Sequence, residues 1–530
     1  MFESQSFITH DGIILKYIFF KSELKNETPK GLIIFISSWG MNEYEYLVQV
    51  DKYSKLGYDV LSYTVRGFHD SGGLINVAGP NDVADLLEII CSFNANNKYN
   101  QLILCGISLG GGLSILTPIY PKHKFEKKKQ ERYLKAQKSI THVICMSCWG
   151  DVSEDLYPSQ TINRVWIWFL IISGYLSGKM DKKIIKMMFN LYTNRNIDEV
   201  YDWLAERSPT TYLTEEKHNF NLYIIKNESD FLFRNNSIFK FFNDIKVENK
   251  IFEISQGTHG SSEIIGLLNP FDNQNIIKVS KKFLMWDRVS NFIKNPTSQI
   301  RFYDHGITEE YEIANELDEI FEEKYYDLEL MNTNNCMSKF LPKEFFITGY
   351  ANEISPNEII EKTKINYNIK SWLPTLASTG IPIISPMLKS YFNIEVNATM
   401  MNDKLLIPKL FSISYISSFF PQLLKIRGIP RINLKIKKTC KILLVIYLYE
   451  VKKNGEYDLI SHGVYSENKN DNRENISIDL IYTVHDIQKF SQFKIIIDTM
   501  DPLYTNPSYM PWSVDIVNDN FNNLILPVSR

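Results

Sequence analysis

Along the first 300 residues, short apolar runs alternate with longer stretches in which apolar positions recur at helical spacing. The runs predict strands over Gly12–Phe20, Leu32–Ile36, Asp59–Tyr63, Leu102–Gly106, His142–Met146, Leu222–Lys226 and Ile251–Ile254. They read as continuous apolar sequence rather than strict alternation, the mark of strands covered on both faces. Helical stretches lie between them, such as Asn81–Asn94, which opens on an Asn cap followed by acidic residues. The pattern predicts an α/β fold, a mainly parallel sheet with helices on both faces.

Two insertions interrupt this rhythm. Lys122–Lys138 is a dense Lys/Glu/Gln segment, read as a solvated helix face. Residues 151–213 are rich in Trp, Met, Ile and Leu at helical spacing and lie between strands, where a cap over a site would sit. Within it, Trp166 and Trp168 are expected to face an apolar pocket or a domain interface and to contact substrate. After about residue 296 helical periodicity fades. Strand-like segments separated by Asn, Gly, Pro and Asp take over, including Arg431–Lys437, Ile442–Val451, Ile476–Val484 and Phe493–Thr499. Their spacing predicts a β-sandwich or jelly roll.

A chain of 530 residues exceeds what one hydrophobic core organises. The expected division is a first domain over 1–295, carrying the cap at about 151–213, and a β-sandwich over 296–530. Asn295-Pro296-Thr297-Ser298 is no flexible Gly/Ser linker, so the sandwich is expected to pack on the first domain and help wall its cleft.

Composition removes several classes of function. Hydrophobic residues make up 44% and charged residues 22%, with a net charge of -3, so there is no broad basic field for nucleic acid. Met1–Gly12 lacks a basic segment followed by an apolar one, so no signal peptide is read. The longest apolar run, from Val165 through Leu176, is about twelve residues against roughly twenty for a bilayer span, so no stable membrane insertion is expected. Six sparse cysteines, mostly in apolar runs, suit reduced thiols in a cytoplasmic protein. Cys145 and Cys148 form a C-x-x-C, but no second pair or nearby His completes a zinc set, and the segment reads as a buried strand. The oligomeric state is left open.

The chemistry starts at Gly106-Ile107-Ser108-Leu109-Gly110, which follows an apolar strand and precedes an apolar helix. A serine on a tight strand-to-helix turn needs neighbours two residues away without side chains, which G-x-S-x-G supplies. Ser108 is therefore the candidate nucleophile, and a serine hydroxyl needs a base to take its proton. In sites of this type the acid follows the serine and the histidine comes last. His259, in Gly257-Thr258-His259-Gly260 after a late strand, is the candidate base. Asp230 lies in the turn after the preceding strand and is the candidate acid, with Glu228 as the alternative. An oxyanion hole requires two aimed N–H groups. Leu109 is expected to supply one and Trp39, with Gly40 next, the other.

Several segments resemble the cocaine-esterase and X-prolyl dipeptidyl-peptidase group of α/β-hydrolases. They are Tyr63-Thr64-Val65-Arg66-Gly67 with Asp70-Ser71-Gly72-Gly73, then Ser208-Pro209 followed by Tyr212-Leu213. In the C-terminal part they are Gly428-Ile429-Pro430, Leu448-Tyr449-Glu450-Val451 with Gly455, Ile460-Ser461-His462-Gly463 and Leu526-Pro527-Val528. The resemblance implies an α/β-hydrolase fold with a helical cap insertion, followed by a C-terminal jelly-roll-like β-sandwich. It also implies ester or amide hydrolysis through an acyl-enzyme. The expected reaction acts on a small-molecule ester or amide and uses no metal or cofactor. Cocaine-esterase-like members carry a tyrosine in the oxyanion loop, where this chain has Ser37-Ser38-Trp39-Gly40. Acyl transfer to a bound amine or alcohol, and an inactive binding module, are the alternatives.

Overall fold

The computed structural model describes residues 3–24, 27–193, 195–260, 284–303, 412–438, 441–466, 474–505, 513–517 and 519–529, and short strands at 311–314, 321–327, 332–334 and 367–370. The chain divides into two compact units. The first comprises Met1–Leu156, Trp166–Tyr303 and Tyr311–Asn315, and the second Tyr157–Val165, Asp304–Glu310 and Glu316–Arg530.

The first unit is built on a ten-stranded sheet. Its strands are β1 (Gln5–Ile8), β2 (Ile14–Phe20), β3 (Leu32–Ile36), β4 (Asp59–Tyr63), β5 (Leu102–Ile107), β6 (His142–Met146), β7 (Asn221–Ser229), β8 (Lys250–Thr258), β9 (Gln299–Tyr303) and β10 (Tyr311–Ala314). Their order is β1-β2-β4-β3-β5-β6-β7-β8-β9-β10, parallel from β4 to β9 and antiparallel at both edges. Helices cover it, among them α1 (Leu47–Lys55), α2 (Pro80–Phe93), α3 (Leu109–Ile119) and α4 (Gln130–Lys138). Every residue of β3, β4, β5 and β6 is buried, as their apolar runs require.

Some expectations shift. Helix α2 is not capped by Asn81; it opens on Gly79, whose N–H donates to Asp82 Oδ2 at 3.2 Å, with Pro80 at the first position. Proline needs no N–H there, so the helix starts one residue early. The first compact unit runs on past residue 295, to Tyr303. The free edge of β8 takes β9 in parallel, Ile251 against Gln299 through Ile254 against Phe302, burying Ile300 and Phe302.

Between β6 and β7 lies the expected helical insertion, with α5 (Val152–Leu156), α6 (Arg164–Ser177), α7 (Lys182–Thr193) and α8 (Ile197–Ala205). Its entry and exit are clasped together. The Val152 N–H donates to Ser208 Oγ at 2.9 Å, and the Thr210 N–H donates to Gly150 O at 3.1 Å.

The second unit is a β-sandwich of two antiparallel sheets. One holds β11 (Phe321–Asp327), β13 (Tyr367–Lys370), β15 (Leu424–Gly428), β16 (Arg431–Lys438), β19 (Asn475–Asp479), β20 (Thr483–Ile487), β22 (Ser513–Ile516) and β23 (Asn523–Ser529), and the other β12 (Asn332–Asn334), β14 (Ile413–Ile416), β17 (Leu443–Val451), β18 (Tyr457–Ser466) and β21 (Gln492–Asp498). The strand expected over Ile476–Val484 is two strands, β19 on β16 and β20 on β15. The buried link Leu480–Tyr482 between them bonds elsewhere, Leu480 N–H to Pro430 O and Ile481 N–H to His462 O.

The glycines around Ser108 set how closely α3 approaches the sheet. A Cβ on Gly110 would lie 2.1 Å from Ile36 O, and one on Gly106 would lie 2.3 Å from the Gly110 carbonyl carbon. Both obstacles are backbone, which no side-chain rotation relieves. Gly110→Ala is expected to cost about 3 kcal/mol or more of stability. Chemical denaturation measures this, and an unchanged midpoint would show that β3 and α3 can part freely.

Candidate active site

The four chain segments carrying the candidate groups leave the sheet at the carboxyl ends of β3, β5, β7 and β8. Ser108 sits between β5 and α3 with φ 53° and ψ -115°, a strained conformation for a residue with a side chain. Two bonds hold it there: its N–H donates to Met146 O at 2.8 Å, and its carbonyl accepts the Gly112 N–H at 2.9 Å. The turn thrusts Oγ out of the strand line, to 2.9 Å from His259 Nε2.

His259 follows β8, its ring edge-on to Trp166 at 6.0 Å and Phe233 at 5.3 Å. Its Nδ1 lies 3.1 Å from each oxygen of Asp230. A carboxylate only accepts, so Nδ1 carries the hydrogen and Nε2 is left to accept from the Ser108 hydroxyl. Asp230 is fully buried at the end of β7 and collects donors on both oxygens. Oδ1 accepts the N–H groups of Leu232 (3.2 Å) and Phe233 (3.1 Å), while Oδ2 accepts Lys226 Nζ at 2.8 Å. Burial works against its charge, but the Lys226 ammonium and the His259 ring outweigh it and hold the carboxyl below its ordinary range.

The loop after β3 is pinned from several sides. Ser38 N–H and Oγ both donate to the buried Glu45 carboxylate, at 2.7 and 2.6 Å. His69 Nε2 lies 2.8 Å from Gly40 O, and the Trp39 indole N–H donates to Ser173 Oγ on α6 at 3.1 Å. Ser108, Leu109 and Trp39 line a narrow apolar cavity of about 50 Å³, closed by Leu156 from α5, Ile167 and Ile171 from α6, Met188 from α7 and Trp203 from α8. As the first residue of α3, Leu109 has an N–H without an intrahelical partner.

The structure thus brings Ser108, His259, Asp230, Leu109 and Trp39 together, but separates the two cap tryptophans. Trp166 is buried on the His259 ring, whereas Trp168 is 50% exposed and packs on Tyr192. Two residues along a helix turn the side chain through about 200°, so both indoles cannot face the same pocket. Glu228, the alternative acid, is half-buried on β7, and the carboxylate on His259 is that of Asp230. His142 is a buried strand residue whose ring lies 2.9 Å from Thr141 Oγ1, and burial lowers it to about 4. His305 lies outside the described residues.

Cys145 and Cys148 are buried free thiols, and burial pushes Cys145 well up. Among the described residues, the metal-ligand types cluster only at Glu450, Asp458 and His485 in the second unit. There the Glu450 carboxylate already accepts from the Gln488 N–H and lies 2.8 Å from His485 Nε2. Glu45 and Lys226 were missed by sequence reasoning. The available signal for Lys226 was a charge closing the apolar run Leu222–Ile225.

No family model and no curated protein matches the chain. Solved structures match it over its full length. An aminopeptidase from the marine sediment archaeon Thaumarchaeota archaeon has TM-score 0.64 at 11% identity, covering 100% of this chain and 96% of that one. A CocE/NonD family hydrolase from Staphylococcus aureus has TM-score 0.64 at 10% identity, covering 100% and 93%. An alpha-amino acid ester hydrolase has TM-score 0.66 at 10% identity, covering 100% and 96%. These are proteins of the kind its motifs resemble, and what is shared at this identity is the fold: an α/β-hydrolase sheet followed by a β-sandwich.

Burial raises the Glu45 carboxyl from 4.5 to about 7, against the two Ser38 bonds that favour its charge. Between those values the folded chain binds more proton than the unfolded one, so stability falls as pH rises across that window. Glu45→Gln removes this contribution. Its melting temperature is expected to fall less than the parent's between pH 5 and 7. Parallel curves would mean that Glu45 is charged throughout.

Proposed function

We propose that the protein is a serine hydrolase that cleaves a carboxylic ester or amide through an acyl-enzyme. The observation that carries this reading is the Ser108 Oγ to His259 Nε2 distance of 2.9 Å, with Nδ1 held by buried Asp230. His259 takes the hydroxyl proton as Oγ adds to the substrate carbonyl carbon. The oxyanion so formed is held by the N–H groups of Leu109 and Trp39. Collapse breaks the bond to the alcohol or amine, which leaves with the proton from His259. Water then attacks the acyl-enzyme, with His259 again as base, and releases the acid and free Ser108. Asp230 stays ionised throughout, fixing the tautomer and stabilising the imidazolium.

The cavity bounds the substrate class. Its walls are hydrocarbon and indole, so the group entering it is apolar, and about 50 Å³ admits a small one. The same dry lining favours a second reading, transfer of the acyl group to a bound amine or alcohol in place of water. The fold's occurrence in an aminopeptidase and an ester hydrolase supports acyl chemistry in general. The free thiols Cys105, Cys145 and Cys148 accord with a reducing, cytoplasmic setting.

A fluorophosphonate probe, which reacts only with an activated serine, tests the reading without knowledge of the substrate. The parent is expected to label at Ser108. Ser108→Ala should abolish labelling, and His259→Ala should slow it by at least about 1,000-fold, since triad residues act as a unit. Both variants should melt close to the parent. Undiminished labelling of Ser108→Ala would remove Ser108 as nucleophile. An ester and aminoacyl-amide panel, with product analysis in the presence of added amine, then separates hydrolysis from transfer.

A further inference from the structure

The triad as described needs nothing beyond Asp230, yet a second ionisable group shares its carboxylate. Lys226 is fully buried near the end of β7. An ammonium there is costly unless each N–H finds an acceptor. Its Nζ has three: Asp230 Oδ2 at 2.8 Å, Phe233 O at 2.8 Å and Cys148 O at 3.0 Å. Three oxygens match the three donors of a charged ammonium, whereas a neutral amine would turn its lone pair on one of them. Lys226 also sits near the imidazole. It is 2.8 Å from the same oxygen that His259 Nδ1 approaches to 3.1 Å, which bounds the Nζ–Nδ1 separation at about 6 Å.

We infer that Lys226 is a positioning residue that aims the Asp230 carboxylate at His259 and, as a fixed buried cation, keeps His259 neutral to lower pH than Asp230 alone would allow. The inference rests on the serine-hydrolase reading above. Its physical basis is simple. Asp230 stabilises an imidazolium, and a cation on the far side of that carboxylate opposes it, all the more inside a protein where screening is weak.

Other ionisable groups around the pair leave this sign intact. Asp155 from α5 is buried, its oxygens accepting the Arg234 N–H at 3.0 Å and Ser237 Oγ–H at 3.2 Å, and burial pushes it well up toward its neutral form. Arg234, beside α9 (Asn235–Asp244), is turned to the Glu154 carbonyl. Cys145 on β6 stays a thiol, again through burial. Cys148 meets Lys226 through its carbonyl. The rings facing His259, Trp166 and Phe233, carry no charge.

The experiment measures the fluorophosphonate labelling rate against pH for the parent, Lys226→Met, Lys226→Gln and Lys226→Arg, each checked by circular dichroism. Both neutral variants are expected to move the acid limb up by about one pH unit or more. Lys226→Arg, which keeps the charge, should hold the limb near the parent's. Lys226→Gln retains two donors and carries the test if Lys226→Met does not fold. Histidine carbon-13 titration in a Ser108→Ala background, with His259→Asn for assignment, reads the same shift without any activity. An acid limb and a His259 titration unmoved in a folded neutral variant would overturn the role of Lys226. A parent that never labels would instead overturn the serine-hydrolase reading, and the titration would still decide the electrostatic one.

Discussion

How closely α3 can approach β3 and β5 governs what the rest of the site can be. Backbone meets backbone at Gly110 and Ile36, and again within the turn at Gly106. That proximity forces Ser108 into its strained conformation and points Oγ away from the strand, at the rim where β7 and β8 end. Were α3 to stand off by the width of a methyl group, the turn could relax and the hydroxyl would swing away from His259. The parallel sheet then does the remaining work. It sets the ends of β7 and β8 side by side, so that two short turns bring Asp230 and His259 into line without any long loop to order.

Buried charge is the second theme of the first unit, and it is resolved in two ways. Where a carboxylate has cationic partners it stays ionised, as Asp230 does with Lys226, and Glu253 with Arg288 and Arg301. Where its partners are only dipoles, burial wins and the proton is retained toward neutrality, as at Glu45. Asp82 and Asp85 show that a nearby cation does not always outweigh burial. Burial raises both, to about 7 and about 6, although Arg66 forks onto Asp85 through Nε and Nη2. The Arg-Gly segment that the sequence singles out therefore ties a loop to α2 rather than reaching the candidate site.

The parts of this arrangement that could be read from sequence are those governed by local rules. Leu32–Ile36 and His142–Met146 are apolar runs of strand rather than helix length, as a strand covered on both faces requires, and the glycines around Ser108 announce a turn by their spacing. Other features depend on contacts the sequence does not display. Gln299–Tyr303 looks too polar for an inner strand, and only the open edge of β8 recruits it. In Ile476–Val484 the alternation Ile476-Ser477-Ile478-Asp479 runs straight into Leu480-Ile481-Tyr482, which hides the point where the chain leaves one partner strand for another. Trp166 and Trp168 share a composition but not a helix face. The cation on Asp230 comes from a lysine ending a hydrophobic strand, where a charge signals a partner without naming it.

The clasp at the base of the cap has a consequence for how such a protein changes over generations. Gly150 and Val152 on the way in are bonded to Ser208 and Thr210 on the way out, so the ends of the insertion are held together by bonds that do not depend on the packing of its helices. The entropic cost of joining those ends rises only slowly with the length between them. The attachment of the insertion's ends to the sheet therefore rests on the clasp, whatever the length of the fifty-odd residues strung from it. Beyond α6, which packs Trp166 on His259, helices can be lengthened, lost or exchanged inside that loop while Ser108, Asp230 and His259 keep their places, so the lining of the cavity can change apart from the groups at its floor.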